Sequence, residues 1–108
     1  MSKRIDTFKR DTILLEFLKS HKGKANVVSS KEIADYLNNR GYSTKSACVH
    51  SLIKKTMYER NAPICYINSR GYFWATSREE IKSTVDDMEK RISALKEHIN
   101  HLMSFIIG

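Results

Sequence analysis

The stretch that decides the fold is Ser30–Arg60, SKEIADYLNNRGYSTKSACVHSLIKKTMYER, in which a glycine-containing turn separates two short amphipathic helices. Ser29 followed by Glu32 has the spacing of a capping box, which predicts that the first of these helices begins here. The helix is predicted to end at Arg40-Gly41, because glycine adopts the left-handed conformation that closes a helix. Its buried side is apolar and consists of Ile33, Ala34 and Leu37. Two short helices joined in this way predict a helix-turn-helix motif.

The second helix of this stretch has one apolar and one polar side. Ser43 or Thr44 is predicted to cap it. Its apolar side carries Val49, Leu52, Ile53 and Met57, and its hydroxyl-bearing and basic side carries Ser43, Thr44, Lys45, Ser46, His50, Ser51, Lys54 and Lys55. Such groups reach base edges and phosphates when a helix lies in the major groove. The same pattern is also that of an amphipathic helix whose polar side only faces water.

The segments on either side of this stretch complete the predicted domain. A first helix, capped by Asp6 or Thr7, is predicted to stop near Gly23 and to be followed by a short extended piece at residues 26–28. After Arg60 come two β-rich runs, Ile64–Ile67 and Tyr72–Ala75, whose polar connection contains a glycine, and this predicts a hairpin. Tyr72 and Trp74 alternate onto one strand face, where we expect them to be core residues and not a base-stacking platform.

Five short motifs follow one another in this region: Glu32-Ile33-Ala34, Ser43-Thr44, Val49 with Ile53, Ala62-Pro63-Ile64 and Arg70-Gly71-Tyr72. In the order of these motifs, residues 30–75 resemble the winged helix-turn-helix of the biotin-repressor and DeoR-type regulators. The turn before Val49 is longer than is usual in that family, and residues 57–60 replace its Leu-x-x-x-Gly ending. The resemblance implies duplex DNA binding, with Arg70 at the tip of the wing, where it touches the phosphate backbone or the minor groove.

The C-terminal segment carries the most regular pattern in the chain. Ser77 followed by Glu80 is a second capping box, which predicts a helix from Arg78 almost to the C-terminus. Apolar residues recur at alternating spacings of four and three, which is the seam of a coiled coil: Ile81, Val85, Met88, Ile92, Leu95, Ile99, Leu102 and Ile106. A helix this long cannot bury its seam on a small domain alone, so we expect it to pair with a second copy or to fold along the first helix.

The direction of that pairing is left open by two competing signals. Ile or Val at the heptad a positions with Leu at d favours two parallel strands. In a parallel pair, however, Arg91 faces Lys96 of the partner subunit, whereas in an antiparallel pair Glu89 faces that lysine twice. Exposed pairs of this kind contribute about 0.2–1 kcal/mol each, so the charges compete with the core pattern.

Charge is distributed unevenly along the 108 residues. Residues 1–60 hold 13 Lys or Arg against 6 Asp or Glu, which accounts for the whole net charge of +7, and residues 61–108 hold 6 of each. This asymmetry is typical of a nucleic-acid-binding face beside a neutral scaffold, although small domains are also basic for solubility alone. The composition, 41% hydrophobic and 29% charged, is that of an ordinary globular protein.

Several classes of site and location are not expected. The sequence has no 18-residue apolar run and no apolar region near Met1, so we expect neither a membrane span nor a secretory signal, and we expect a cytoplasmic protein of a bacterial or phage-infected cell. Cys48 and Cys65 lack metal-ligand spacing and are expected to be reduced, with Cys48 a small core residue. His98 and His101 lie one turn apart but have no third ligand. We expect no metal, no cofactor, no small-molecule substrate and no catalytic site.

The sequence therefore predicts a mainly α chain with a small β-hairpin (α+β): a winged helix-turn-helix domain at residues 1–77 and a coiled-coil dimerisation helix at 78–108. Its predicted function is sequence-specific duplex DNA binding as a homodimer, in transcriptional regulation or replication control. The long charged helix after the hairpin also resembles small phage-encoded proteins, which leaves open an interaction module that docks on host machinery. A single-strand or RNA binder is the third class, and its expected platform of exposed aromatics is not evident in so small a hairpin.

Overall fold

The computed structural model describes residues 7–107, without the side chain of Ile107, and Asp6, one of the two predicted caps of the first helix, lies outside this range. The elements in chain order are α1 (Thr7–Lys19), α2 (Ser30–Asn39), α3 (Val49–Arg60), β1 (Ile64–Ile67), β2 (Gly71–Trp74) and α4 (Arg78–Ile107), with one-turn 3₁₀ helices at Lys24–Asn26 and Ser46–Cys48. The prediction of a mainly helical chain with a small antiparallel hairpin and a long C-terminal helix is confirmed. The first helix ends earlier than predicted, at Lys19. No helix within residues 7–107 combines the length and apolarity needed to cross a bilayer.

Both predicted ends of α2 are present. The Ser29 hydroxyl accepts a hydrogen bond of 3.1 Å from the Glu32 N–H, as a capping box requires. At the other end Gly41 has φ +87°, and its N–H donates to the carbonyl of Asn38. The N–H of Tyr42 donates to the carbonyl of Leu37, which completes a Schellman motif. The local sequence therefore fixes where α2 starts and stops.

One hydrophobic core joins the first three helices to one face of the hairpin. Its fully buried members include Leu14, Leu18, Val28, Ile33, Leu37, Val49 and Ile53, and the buried Tyr72 closes it from β2. The expectation that Tyr72 is a core residue is confirmed. Trp74 packs against the same core but is only half-buried, with the Lys19 ammonium 5.5 Å from its ring centroid.

The second face of the hairpin is buried as well, because α4 crosses it. Cys65 and Phe73, which are paired across the two strands, form a small cluster with Ala75 and Ile67. Burial raises the pKa of the Cys65 thiol, against a hydrogen bond with Thr84 of α4 that lowers it. A strand of four residues is too short for its sequence to reveal that both faces are covered.

The outer edge of β2 is tied by backbone hydrogen bonds to the connection between α1 and α2. Val28 and Tyr72 exchange two hydrogen bonds of 2.8 Å, and Trp74 donates to His21 while accepting from Gly23. This approach leaves no room for a side chain at Gly71, which has φ +135°. A Cβ there would overlap the Val28 carbonyl oxygen and lie 2.6 Å from the carbonyl carbon. Only glycine fits this position.

The first turn of α4 is anchored by the carboxylate of Glu80. The Glu80 N–H donates to the Ser77 hydroxyl at 3.2 Å, which confirms the Ser77 half of the predicted capping box. The carboxylate in turn accepts hydrogen bonds from the Thr76 N–H at 2.8 Å and the Lys24 N–H at 2.7 Å. These bonds hold the pKa of Glu80 below its ordinary value. Glu80 therefore joins the start of α4 to the connection that follows α1.

We predict that Gly71→Ala destabilises the fold far more than Gly41→Ala. Both glycines have a positive φ, which costs an alanine about 1–2 kcal/mol, but no atom lies within 4 Å of a Cβ at Gly41. The overlap with Val28 should add about 1–3 kcal/mol or more at Gly71. Urea unfolding of the two variants measures the difference. Equal losses of unfolding free energy would contradict the close approach.

We also predict a change in the pH dependence of stability on Glu80→Gln. Because the folded-state pKa of Glu80 is lowered, its ionised form stabilises the fold above the ordinary carboxyl pKa, and this contribution is lost as the pH falls through the folded value. The variant should therefore be less stable at neutral pH and lose less stability on acidification. The matched control is Glu79→Gln, at the exposed neighbouring position, which should retain the wild-type profile. Parallel acid profiles for Glu80→Gln and wild type would contradict the assignment.

Candidate nucleic-acid interface

The turn between α2 and α3 differs from the prediction. Helix α3 begins at Val49 and follows a single 3₁₀ turn, so the prediction that Ser43 or Thr44 caps it is wrong. The reason is the side chain of Asn38, whose amide group accepts from the Thr44 N–H at 2.6 Å and donates to the Thr44 carbonyl at 2.9 Å. The Thr44 hydroxyl donates to the carbonyl of Tyr42. The end of α2 thus clamps the turn in an extended conformation.

The residues that follow this clamp are presented to solvent. Lys45 is extended and exposed, and the 3₁₀ turn after it exposes Ser46, Ala47 and Cys48. The expectation that Cys48 is a core residue is therefore wrong, because the 3₁₀ turn presents it outward just before the buried Val49. A polar turn, in place of a longer helix, therefore carries four of the eight side chains predicted to reach DNA: Ser43, Thr44, Lys45 and Ser46.

Three parts of the chain that are distant in sequence meet at one shallow cleft. Ser29, Ser30 and Lys31 come from the start of α2, Ser46 and Ala47 from the 3₁₀ turn, and Tyr66, Ser69, Arg70 and Gly71 from the hairpin. The cleft thus brings together Ser46 and Arg70, two of the residues predicted to contact DNA, and Lys45 lies directly beside Ser46. We call this surface the basic cleft.

The chemistry of the basic cleft suits an anion. Its lining residues carry four serine hydroxyls, an ammonium and a guanidinium. Within the described part of the chain, the nearest carboxylate to them is that of Glu32, outside the lining, which accepts a hydrogen bond of 3.1 Å from the Ser29 hydroxyl. The basic cleft also contains the N-terminus of α2, where unpaired N–H groups and the helix dipole favour negative charge. Among residues 7–107, the ion pairs of the structure involve neither Lys31, Lys45 nor Arg70. These three cations therefore take part in no ion pair of the described residues.

The polar side of α3 divides between two environments. His50 is exposed, yet its Nδ1 forms a hydrogen bond of 2.9 Å with the phenol of Tyr72, so the ring is held against the hairpin. Burial raises the pKa of Tyr72, and a hydrogen bond with Ser30 opposes the rise. Lys54 is exposed and lines, with His50, a second pocket between α3, the hairpin and α4. These two residues therefore lie beside the basic cleft and not within it.

Lys55 lies on the side of α3 that faces α1. The Lys55 ammonium is 3.3 Å from the Glu59 carboxylate and 4.0 Å from the Asp11 carboxylate. Asp11 is buried, and its carboxylate also forms an ion pair with Arg10 at 3.2 Å. Among the predicted DNA contacts, the structure thus brings Ser46 and Arg70 together in the cleft. Lys45 is exposed and precedes Ser46 in the chain, and Lys55 lies apart. Ser43 is exposed in the turn, and Thr44 is held by Asn38.

The sequence alone does not reveal that Ser29, Ser30 and Lys31 line the cleft. The capping box marked the N-terminus of α2, which is an anion-binding position in general. The missing information was tertiary: only the folded chain places Arg70 of the hairpin and Ser46 of the turn around that N-terminus.

The predicted seam of α4 lies free on the surface of the protomer. Its eight residues are between 42% and 77% exposed: Ile81, Val85, Met88, Ile92, Leu95, Ile99, Leu102 and Ile106. Met103 and Phe105 are exposed beside its last turn. The seam is therefore not buried against α1. Packing along this helix was one of the two predicted arrangements of α4. A continuous exposed apolar stripe is typical of interaction surfaces.

Comparisons of the chain with protein-family models, with curated proteins and with solved structures find no significant match. Within residues 7–107 no group of three or more His, Cys, Asp or Glu side chains is placed to hold a metal ion. The function of the basic cleft is therefore argued from its own chemistry.

Proposed function

We propose that the protein binds duplex DNA through the basic cleft, as a homodimer held by α4. In this proposal residues 1–77 form a winged helix-turn-helix domain in which α2 and α3 are the helix pair and the β1–β2 hairpin is the wing. Residues 78–108 form the dimerisation helix. The biological role is transcriptional regulation or replication control.

The observation that carries the proposal is the convergence of Lys31, Arg70 and the N-terminus of α2 around the basic cleft. Phosphate oxygens are the groups that such a surface binds best, because cations, hydroxyls and free N–H groups all donate to them. Ser46 lines the same cleft, and the exposed Lys45 precedes it in the chain. The excess charge of the first 60 residues favours the same partner.

The hairpin adds a contact of a different kind. Ser69 at its tip has φ +68°, and the three-residue connection presents the exposed Arg70 back toward α2. A tip this short favours contact with the phosphate backbone over deep insertion into a groove. Arg70 therefore contributes affinity, and sequence choice falls to the side chains at the start of α3.

The proposal predicts that the triple variant Lys31→Ala, Lys45→Ala, Arg70→Ala loses duplex affinity at every site tested. A plot of the logarithm of the binding constant against the logarithm of the salt concentration has a negative slope. Each lost phosphate contact should reduce the size of that slope by about 0.9. The loss in affinity should therefore be largest at low salt. Fluorescence anisotropy with a labelled duplex, at several salt concentrations, measures both quantities.

The matched control is Lys90→Ala, which removes a lysine from an exposed position of α4, outside the basic cleft and off the seam. It should retain the wild-type affinity and slope. A folded triple variant that binds duplex DNA as tightly as wild type would contradict the proposal and favour a protein-docking role. If unlabelled single strands compete for the protein as well as unlabelled duplex does, the result would favour a single-strand or RNA binder.

A further inference from the structure

A small, mainly apolar pocket lies between α3, the hairpin and α4. It is lined by His50, Ile53, Lys54, Met57 and Tyr58 of α3, by Ile64, Tyr66 and Tyr72 of the hairpin, and by Thr84 and Met88 of α4. Tyr58 is 70% exposed at its rim. The volume of about 230 Å³ lies below the ~300–1,000 Å³ typical of small-molecule sites and suits a single side chain.

The last turn of α4 offers such a side chain. In the heptad that places Ile99 at a and Leu102 at d, Met103 falls at e and Phe105 at g, so the apolar stripe widens at this end. Phe105 is 74% exposed, and its only ring neighbour among the described residues is His101. Charged side chains usually flank a coiled-coil seam at e and g. An exposed phenylalanine at g needs a second apolar surface.

Antiparallel pairing of two α4 helices brings this side chain to the pocket. When every seam residue finds a partner, the layers are Ile81 with Ile106, Val85 with Leu102, Met88 with Ile99, and Ile92 with Leu95. Each layer then joins an a to a d position, which is the arrangement of antiparallel coiled coils. In this register the g residues that face each other include Thr84 and Phe105, and Thr84 lines the pocket.

We infer that α4 pairs antiparallel with a second copy of this chain and that Phe105 of the partner subunit fills the pocket beside Thr84. The inference rests on the homodimer of the proposed function and adds its direction, its register and the residue that each copy contributes to the other. Because His50 and Lys54 line the same pocket, the inserted ring also packs against α3.

The charges beside the seam agree with this direction. In the same register Glu89 faces Lys96 of the partner subunit on the e side, and the pair occurs twice around the two-fold axis. Parallel pairing would instead oppose Arg91 and Lys96 twice and would leave both copies of Phe105 at the end of the coil remote from the pocket. The pocket thus resolves the competition between core pattern and charge that the sequence left open.

Disulfide trapping tests the direction. In a background with Cys48→Ser, which removes the exposed thiol, Val85→Cys and Leu102→Cys are prepared separately, one with a size tag. The mixture should form a disulfide-linked heterodimer, because these positions share a layer. Neither variant should link to itself, since two copies of residue 85 would lie about 26 Å apart along the coil. Self-linking of Val85→Cys, or a dimer that links in no combination, would overturn the inference.

Light scattering of the unmodified protein separates this outcome from a failure of the proposed function. A monomer at tens of micromolar would contradict the homodimer itself. A dimer in which Val85→Cys links to itself would contradict only the pairing direction.

A double-mutant cycle tests the pocket. Phe105→Ala and Tyr58→Ala should each raise the dissociation constant of the dimer. The double variant should raise it at least about threefold less than the product of the two single increases, because both substitutions remove the same contact. Tyr58 is exposed, so its replacement spares the core. The control cycle pairs Tyr58→Ala with Met103→Ala, on the opposite flank of the seam, and its effects should multiply. Multiplying effects for Phe105 and Tyr58 would overturn the pocket contact.

Discussion

The close approach of Gly71 to the carbonyl of Val28 is the constraint on which the rest of the structure depends. It lets the edge of the hairpin form backbone hydrogen bonds with the connection between α1 and α2. Once that edge is fixed, Tyr72 closes the core and reaches His50, and Arg70 is held next to the N-terminus of α2. The opposite face of the hairpin becomes the surface on which α4 lies. One glycine thus links the core, the basic cleft and the direction in which α4 leaves the domain.

Features set by neighbouring residues could be predicted from the sequence. The two capping boxes, the end of α2 at Gly41 and the seam of α4 each depend on a spacing of three or four residues. Features set by tertiary contacts could not. The start of α3 depends on the Asn38 amide across six residues, and Lys55 is held by Asp11, which lies more than forty residues away. The basic cleft was found in part, through Ser46 and Arg70, because the position of Lys31 relative to them exists only in the folded chain.

The two proposed surfaces have compatible geometry. In the antiparallel pairing, the two Thr84 positions lie about 29 Å apart along the coil. Two half-sites one helical turn apart on one face of B-DNA have a separation of similar size, about 34–36 Å. The two-fold axis crosses the coil at its centre, so both domains present the same cleft with opposite polarity. Under the proposed function, the exposed seam and the basic cleft serve one purpose, which is to hold two proposed DNA-binding surfaces at a fixed separation.

The most direct test of the central claim is selection of bound sequences from a pool of random duplex DNA, using the full chain at a stated salt concentration. The account predicts enrichment of an inverted repeat whose half-sites are centred about one helical turn apart, or a multiple of it. Recovery of the input pool without enrichment of any sequence would contradict sequence-specific duplex binding. Enrichment of one unrepeated site would contradict the pairing of two clefts by α4.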